Sequence, residues 1–158
     1  MINTTRTFFA SALLAFTCLG AANAQTVGAD GIIRIRSAYS MSETVTRIRA
    51  DIATKGIMFF QAVDQSDLAA KAGIKLQPSM LLEFGNPPLG AQFLTANPVS
   101  GLDWPVRLLV WQDDSGAVWA GWTDFSWIAK RHGITTRDAQ FATATGVVES
   151  ITSTVKAK

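Results

Sequence analysis

Apolar residues recur along this chain with two different periods, and the changes of period mark out its elements. In residues 32–38 (IIRIRSA), Ile33 and Ile35 alternate with Arg34 and Arg36, the two-residue period of a half-buried strand. Met41, Val45, Ile48 and Ile52 then fall at i, i+4, i+7 and i+11, one face of a helix predicted over residues 41–55. Ser40 and Glu43 make a capping box at its start, and Gly56 stands where a left-handed C-cap is wanted. Residues 57–62 (IMFFQA) read as a strand, residues 66–72 as a short helix capped by Ser66, and residues 79–84 as a strand. In that last strand Met80, Leu82 and Phe84 face one way and Leu81 and Glu83 the other.

Gly85-Asn86-Pro87-Pro88 fixes the exit direction of the chain, because each Pro locks its own backbone and restricts the residue before it. A two-turn helix with Leu89, Phe93 and Leu94 follows and ends at Asn97-Pro98. Residues 106–113 and 117–124 form a hairpin around Asp114-Ser115-Gly116. With Gly116 in the left-handed position, Asp113 pairs with Ala117, Trp111 stands opposite Trp119 and Leu109 opposite Gly121. Residues 127–131 read as a short helix closed by His132-Gly133. Thr135 and Asp138 repeat the capping pattern, and Phe141, Ala144, Val148, Ile151 and Val155 mark a long terminal helix interrupted in propensity by Gly146.

The order strand, helix, four strands, helix predicts an α+β two-layer sandwich. Its mainly antiparallel five-stranded sheet follows β-α-β(4)-α order, with short helices in the connections. Both long helices belong on one face. The other face collects Arg34, Arg36, Glu83 and Arg107 beside Leu109, Trp111 and Trp119, too apolar for an open monomer surface, so connecting segments or a second subunit should cover it.

The start of the chain has a different character. Arg6, an apolar run from Phe8 to Leu19 and the small-residue pattern Ala22-Asn23-Ala24 predict a signal peptide over residues 1–24, cleaved before Gln25, and a single domain over residues 25–158. The apolar run is about a dozen residues, short of the ~20 a membrane span needs. Ala15-Phe16-Thr17 before Cys18 is too bulky for a lipid-attachment box. The expected location is periplasmic or secreted, with no membrane attachment after cleavage. Cys18 is the sole cysteine, so the mature domain has no disulfide and no thiolate ligand. With 14 basic and 12 acidic side chains and no basic stripe, nucleic acid is not an expected partner.

One set of residues resembles a known family. Gly73, Leu76, Pro78, Leu81-Leu82, Phe84-Gly85-Asn86-Pro87 and Gly90 are followed by Leu102-Asp103, Pro105 and Arg131-His132-Gly133. This pattern is similar to the family known as domain of unknown function 302. The resemblance runs over residues 33–155 and implies a TATA-binding-protein-like fold and a homodimer. It implies no DNA binding and brings no accepted catalytic residues. The signal peptide and Trp104 are this chain's own features.

Candidate chemistry is sparse. His132 is the only imidazole, and a helix-end ring that caps free carbonyls is its plainer role. Paired with Glu83 or Asp124 it would make an acid–base couple. One His without Cys is poor arithmetic for zinc, and Met41, Met58 and Met80 fall on predicted core faces, so no metal and no cofactor are expected. No nucleophile elbow, Walker loop or dinucleotide fingerprint is present. Two readings remain. One is a non-catalytic dimeric module binding a small ligand or partner protein through Asn86, Arg107, Trp111 and Trp119. The other is a small hydrolase or isomerase using His132 with a carboxylate.

Overall fold

The structure, a computed structural model, describes residues 27–158; the signal peptide expected over residues 1–24 lies outside the described residues. Five strands, β1 (Ile32–Arg36), β2 (Met58–Asp64), β3 (Ser79–Gly85), β4 (Val106–Gln112) and β5 (Val118–Thr123), form one sheet in the order β1-β5-β4-β3-β2. Every pairing is antiparallel. The helices are α1 (Met41–Thr54), α2 (Gln65–Lys71), α3 (Pro87–Ala96), α4 (Phe125–Arg131) and α5 (Asp138–Ser153), with a 3₁₀ turn over Pro98–Asp103.

The two-residue period of the strands decides which side chains meet the helices. Ile33, Ile35, Leu82, Phe84, Leu108, Val110, Ala120 and Trp122 point to the helical layer and are buried. They meet Ile48 and Ile52 of α1 and Phe141, Ala144, Val148 and Ile151 of α5, so each helical period found its core. A buried Ser37–Thr44 hydroxyl pair at 2.7 Å ties the end of β1 to α1. Outward positions alternate with these. Val63, Leu81, Glu83, Leu109, Trp111 and Trp119 are half-buried, while Arg34, Arg36, Gln61 and Arg107 are exposed.

The β4–β5 hairpin has the predicted register: Trp111 opposite Trp119, Leu109 opposite Gly121. Asp113 N donates to Ala117 O at 2.9 Å, and Gly116 takes φ +83°. Several local expectations change. Ser40 accepts from Glu43 N, but the Glu43 carboxylate turns to Arg47 at 2.7 Å, so only half of the capping box forms. Asp64, not Ser66, caps α2 through Asp67 N. α3 starts at Pro87, because Asn86 Oδ1 accepts from Leu89 N and so makes both prolines the first helical positions, where a missing N–H costs nothing. α5 has no side-chain cap. Arg137 takes φ +75° after Ile134 plugs into the core, which leaves Asp138 as the first helical residue and Thr135 outside. Met58 is 51 % exposed on the edge strand rather than in the core, because its neighbour Phe59 takes the inward position opposite Phe84.

Candidate functional site

The residues singled out for chemistry separate into three places. The first surrounds His132. α4 ends at this residue, and the chain reverses through Gly133 (φ +61°) with Ile134 N donating to Ala129 O. That reversal turns the His132 ring inward. Its Nε2 lies 2.6 Å from Asp103 Oδ2, and the two side chains are 5 % and 4 % exposed. Asp103 closes the 3₁₀ turn, which Asn97 opens by accepting from Val99 N; the Asn97 amide also donates to His132 O at 2.8 Å. Arg107 Nη2 and Arg131 Nη1 approach Asp103 Oδ1 at 3.4 and 3.3 Å, with Arg107 donating to Leu102 O at 2.7 Å as well.

His132 therefore does have a carboxylate, but neither expected one. Glu83 lies on the outward face and accepts from Gln61 Nε2 at 2.9 Å. Asp124 is the N-cap of α4, accepting from Trp127 N at 2.9 Å and from the Ser126 hydroxyl. The ring caps no carbonyl either; the carbonyl of His132 is itself satisfied by Asn97. Beside Asp103 lies a cavity of about 20 Å³ lined by Arg107, Trp122, Thr123, Phe125 and Ile128. That is room for one water and for no substrate.

The second place flanks Asn86. Two apolar cavities of about 250 and 270 Å³ share Gly85, Asn86 and Trp104 as a wall. The first opens between Ile57, Leu89 and Val147, the second between Phe60, Leu94 and Pro105. Trp104 stacks on two phenyl rings: Phe93 at 4.5 Å and 2°, Phe125 at 5.5 Å and 11°. Phe141 tilts onto Phe93 at 4.3 Å, so one run of ring contacts links α5, α3 and α4 through Trp104. Asn86 itself is a helix cap, and its side-chain oxygen is engaged in that role.

The third place is the outward face of the sheet. Trp111 and Trp119 stack with centroids 6.4 Å apart, and the Trp111 ring covers Gly121, where a Cβ would come within 3.0 Å of it. Trp119 Nε1 donates to Asp113 Oδ2 at 2.7 Å. The Asp113 carboxyl is held down to about 2, first by the Ser115 hydroxyl and then by that indole N–H. Next to the pair, Val63, Leu81, Leu109 and Gly121 stand in register across β2, β3, β4 and β5. Asn86 is not part of this face, and neither Trp111 nor Trp119 lines the cavities beside it. Among the described residues no group of three or more His, Cys, Asp or Glu could hold a metal ion.

A family model described as Domain of unknown function DUF302 matches residues 33–156. This chain belongs to the DUF302 family. Phe84-Gly85-Asn86-Pro87, Leu102-Asp103 and Arg131-His132-Gly133, the stretches that suggested it, form the α3 start and both sides of the Asp103–His132 pair. Among solved structures, the crystal structure of an uncharacterized conserved DUF302 protein from Bacillus stearothermophilus superposes with a TM-score of 0.64. The match has 19% identity and covers 79% of this chain and 95% of that one, a likeness of fold. Among curated proteins, the chain is 37% identical over 105 residues to the fluoride-specific ion channel FluC 1 of Brucella suis biovar 1 (strain 1330). The same identity holds for FluC 1 of Brucella abortus biovar 1 (strain 9-941). These matches cover 66% of this chain but only 41% and 39% of the relatives, so this DUF302 domain corresponds to a minor part of each. No helix among its described residues is long and apolar enough to cross a membrane.

Proposed function

We propose that this DUF302 protein is an exported, dimeric, non-catalytic module that binds a partner protein on the outward face of its sheet. The observation that carries the non-catalytic half is the sealing of the only imidazole. His132 and Asp103 are paired at 2.6 Å, nearly inaccessible, beside a cavity of about 20 Å³. An acid–base couple needs a reacting group within hydrogen-bond reach, and nothing larger than water fits there. The hydrolase or isomerase reading has the required carboxylate contact and lacks a place for its substrate.

The binding half rests on the outward face. A contiguous row of Val63, Leu81 and Leu109 lies beside the Trp111–Trp119 pair, rimmed by Arg34, Arg36 and Arg107. Aromatic side chains around an apolar centre suit a protein surface that is itself apolar; of the rim cations, Arg34 is paired with Asp30 and Arg107 approaches Asp103. The Brucella relatives favour a protein over a free metabolite: they carry the matching stretch as part of a longer polypeptide named for a membrane channel. A fluoride-specific channel is therefore the first partner to try.

The experiment is a binding measurement between the chain from residue 25 onward and a detergent-solubilised fluoride-specific channel, by interferometry and tryptophan fluorescence. Binding that weakens at least tenfold in Trp111→Ala or Leu109→Lys is the expected result. Binding that ignores both substitutions, or turnover that disappears in His132→Gln, would overturn the reading.

A further inference from the structure

The two cavities beside Asn86 are not alike. The one of about 250 Å³ reaches into the helical layer, where the end of β3 meets α3 and α5. Phe84, Ala144 and Val148, all buried core residues, form its floor. Ile57, Leu89 and Val147 are half-buried at its sides, and Lys55, Asn86 and Thr143 stand exposed at its rim. The cavity of about 270 Å³ has no buried residue in its lining, and its Phe60 and Leu94 are 49 % and 39 % exposed. It is a dent in the surface.

Size and lining say what the deeper cavity can take. A trapped water needs two to four polar partners, which apolar walls do not supply. A 150 Å³ apolar cavity takes benzene, about 25 Å³ per carbon, so 250 Å³ takes about ten non-hydrogen atoms. The rim sets the polarity of the occupant. The Lys55 ammonium is already paired with Asp51 at 2.6 Å and does not ask for an anion. The Thr143 hydroxyl donates to Ala139 O at 2.8 Å. Asn86 spends its Oδ1 on the cap of α3, while its Nδ2 donates to nothing among the described residues. Asn86 is also held in place by Pro87 after it, and Trp104 beside it by its two ring stacks, so binding has little left to order.

We infer that this cavity binds a neutral, mainly apolar small molecule of about ten non-hydrogen atoms, whose acceptor oxygen takes a hydrogen bond from Asn86 Nδ2. The site lies in the helical layer and needs neither the outward face nor its partner protein.

The test uses the chain from residue 25 onward and three probes: 1-tetralone, a neutral bicyclic ketone; tetralin, which lacks the oxygen; and 1-naphthoate, which carries a charge. Binding is followed by proton–nitrogen NMR at the Gly85 amide and at the Trp104 indole N–H, a buried proton held from exchange. Saturable binding of 1-tetralone is expected, with Kd on the order of 0.1 mM and weaker binding of 1-naphthoate. Val147→Trp, which fills the opening, should weaken both neutral probes at least tenfold with an unchanged circular dichroism spectrum; Val147→Phe repeats the block with a smaller ring. Asn86→Asp keeps the capping oxygen and removes the donor. It should weaken 1-tetralone about tenfold and leave tetralin within about twofold. Failure of both neutral probes to bind, or binding that persists in the Val147 variants, overturns the inference. So does an equal response of 1-tetralone and tetralin to Asn86→Asp. Tighter binding of 1-naphthoate than of 1-tetralone would overturn it as well, by making Lys55 the recognising group.

Discussion

Removing the Asp103 carboxylate tests the pair on which the non-catalytic reading depends. In Asp103→Ala, the His132 ring stays buried and loses its 2.6 Å partner. Leaving a buried hydrogen-bonding group without its partner costs about 1–3 kcal/mol, the desolvation that the lost contact had offset. The Arg107 and Arg131 contacts add little to that figure. They are 3.4 and 3.3 Å long from guanidinium side chains 49% and 54% exposed, and such pairs contribute roughly 0–1 kcal/mol. The expected loss is then about 2 kcal/mol, roughly 4–8 °C in Tm for a domain of this size. Asp103→Asn keeps an oxygen that can accept from His132 and should lose less, under about 1 kcal/mol. Urea unfolding of both variants, of His132→Ala and of the double variant gives the coupling directly, expected at about 1–3 kcal/mol. A loss below about 1 kcal/mol for Asp103→Ala, or simple additivity in the cycle, would mean that the pair does not hold the 3₁₀ turn to the end of α4.

Three further outcomes follow from particular contacts. Gly146 lies mid-helix in α5 with open space where a Cβ would be, so Gly146→Ala should stabilise by about 1 kcal/mol in thermal unfolding; no gain would point to an unseen contact. Gly121→Ala should cost about 1–3 kcal/mol and change the Trp111–Trp119 exciton signal in circular dichroism, since its methyl meets both the Trp111 ring and Ile33 O at 3.0–3.1 Å. Asp113 should titrate near pH 2 by carboxyl carbon NMR, with the Trp119 indole proton following the same midpoint. Its folded value lies below the ordinary 3.8, so its contribution to the hairpin is complete above that pH and is lost as the pH falls toward 2; a midpoint near 3.8 would contradict the Ser115 and Trp119 bonds.

The elements that could be read from the chain are those whose signal is local. α1 was written in Met41, Val45, Ile48 and Ile52, and the hairpin register in the position of Gly116, because periodicity and turn chemistry act within a few residues. What escaped was tertiary. Asp103 belongs to a motif that pointed to the family, yet no spacing rule joins position 103 to position 132. The two meet only because the 3₁₀ turn and the end of α4 are clamped by Asn97. Glu83 and Asp124 stand out in the sequence as strand ends, but one is held by a cross-strand amide and the other by a helix start. The exposure of Met58 follows from Phe59 taking the inward position opposite Phe84, which the unbroken apolar run of residues 57–60 does not reveal.

The indole of Trp104 stacks on two phenyl rings that come from different helices. α3 is mostly solvent-facing along its outer flank, and by exposure alone it would be the segment to peel away first. It cannot do so quietly, since lifting it separates Phe93 from Trp104 and from Phe141 in the same motion. Amide protons of α3 should therefore exchange on the schedule of the interior and not of the surface, and the emission of a shielded tryptophan should redden only when that schedule is met.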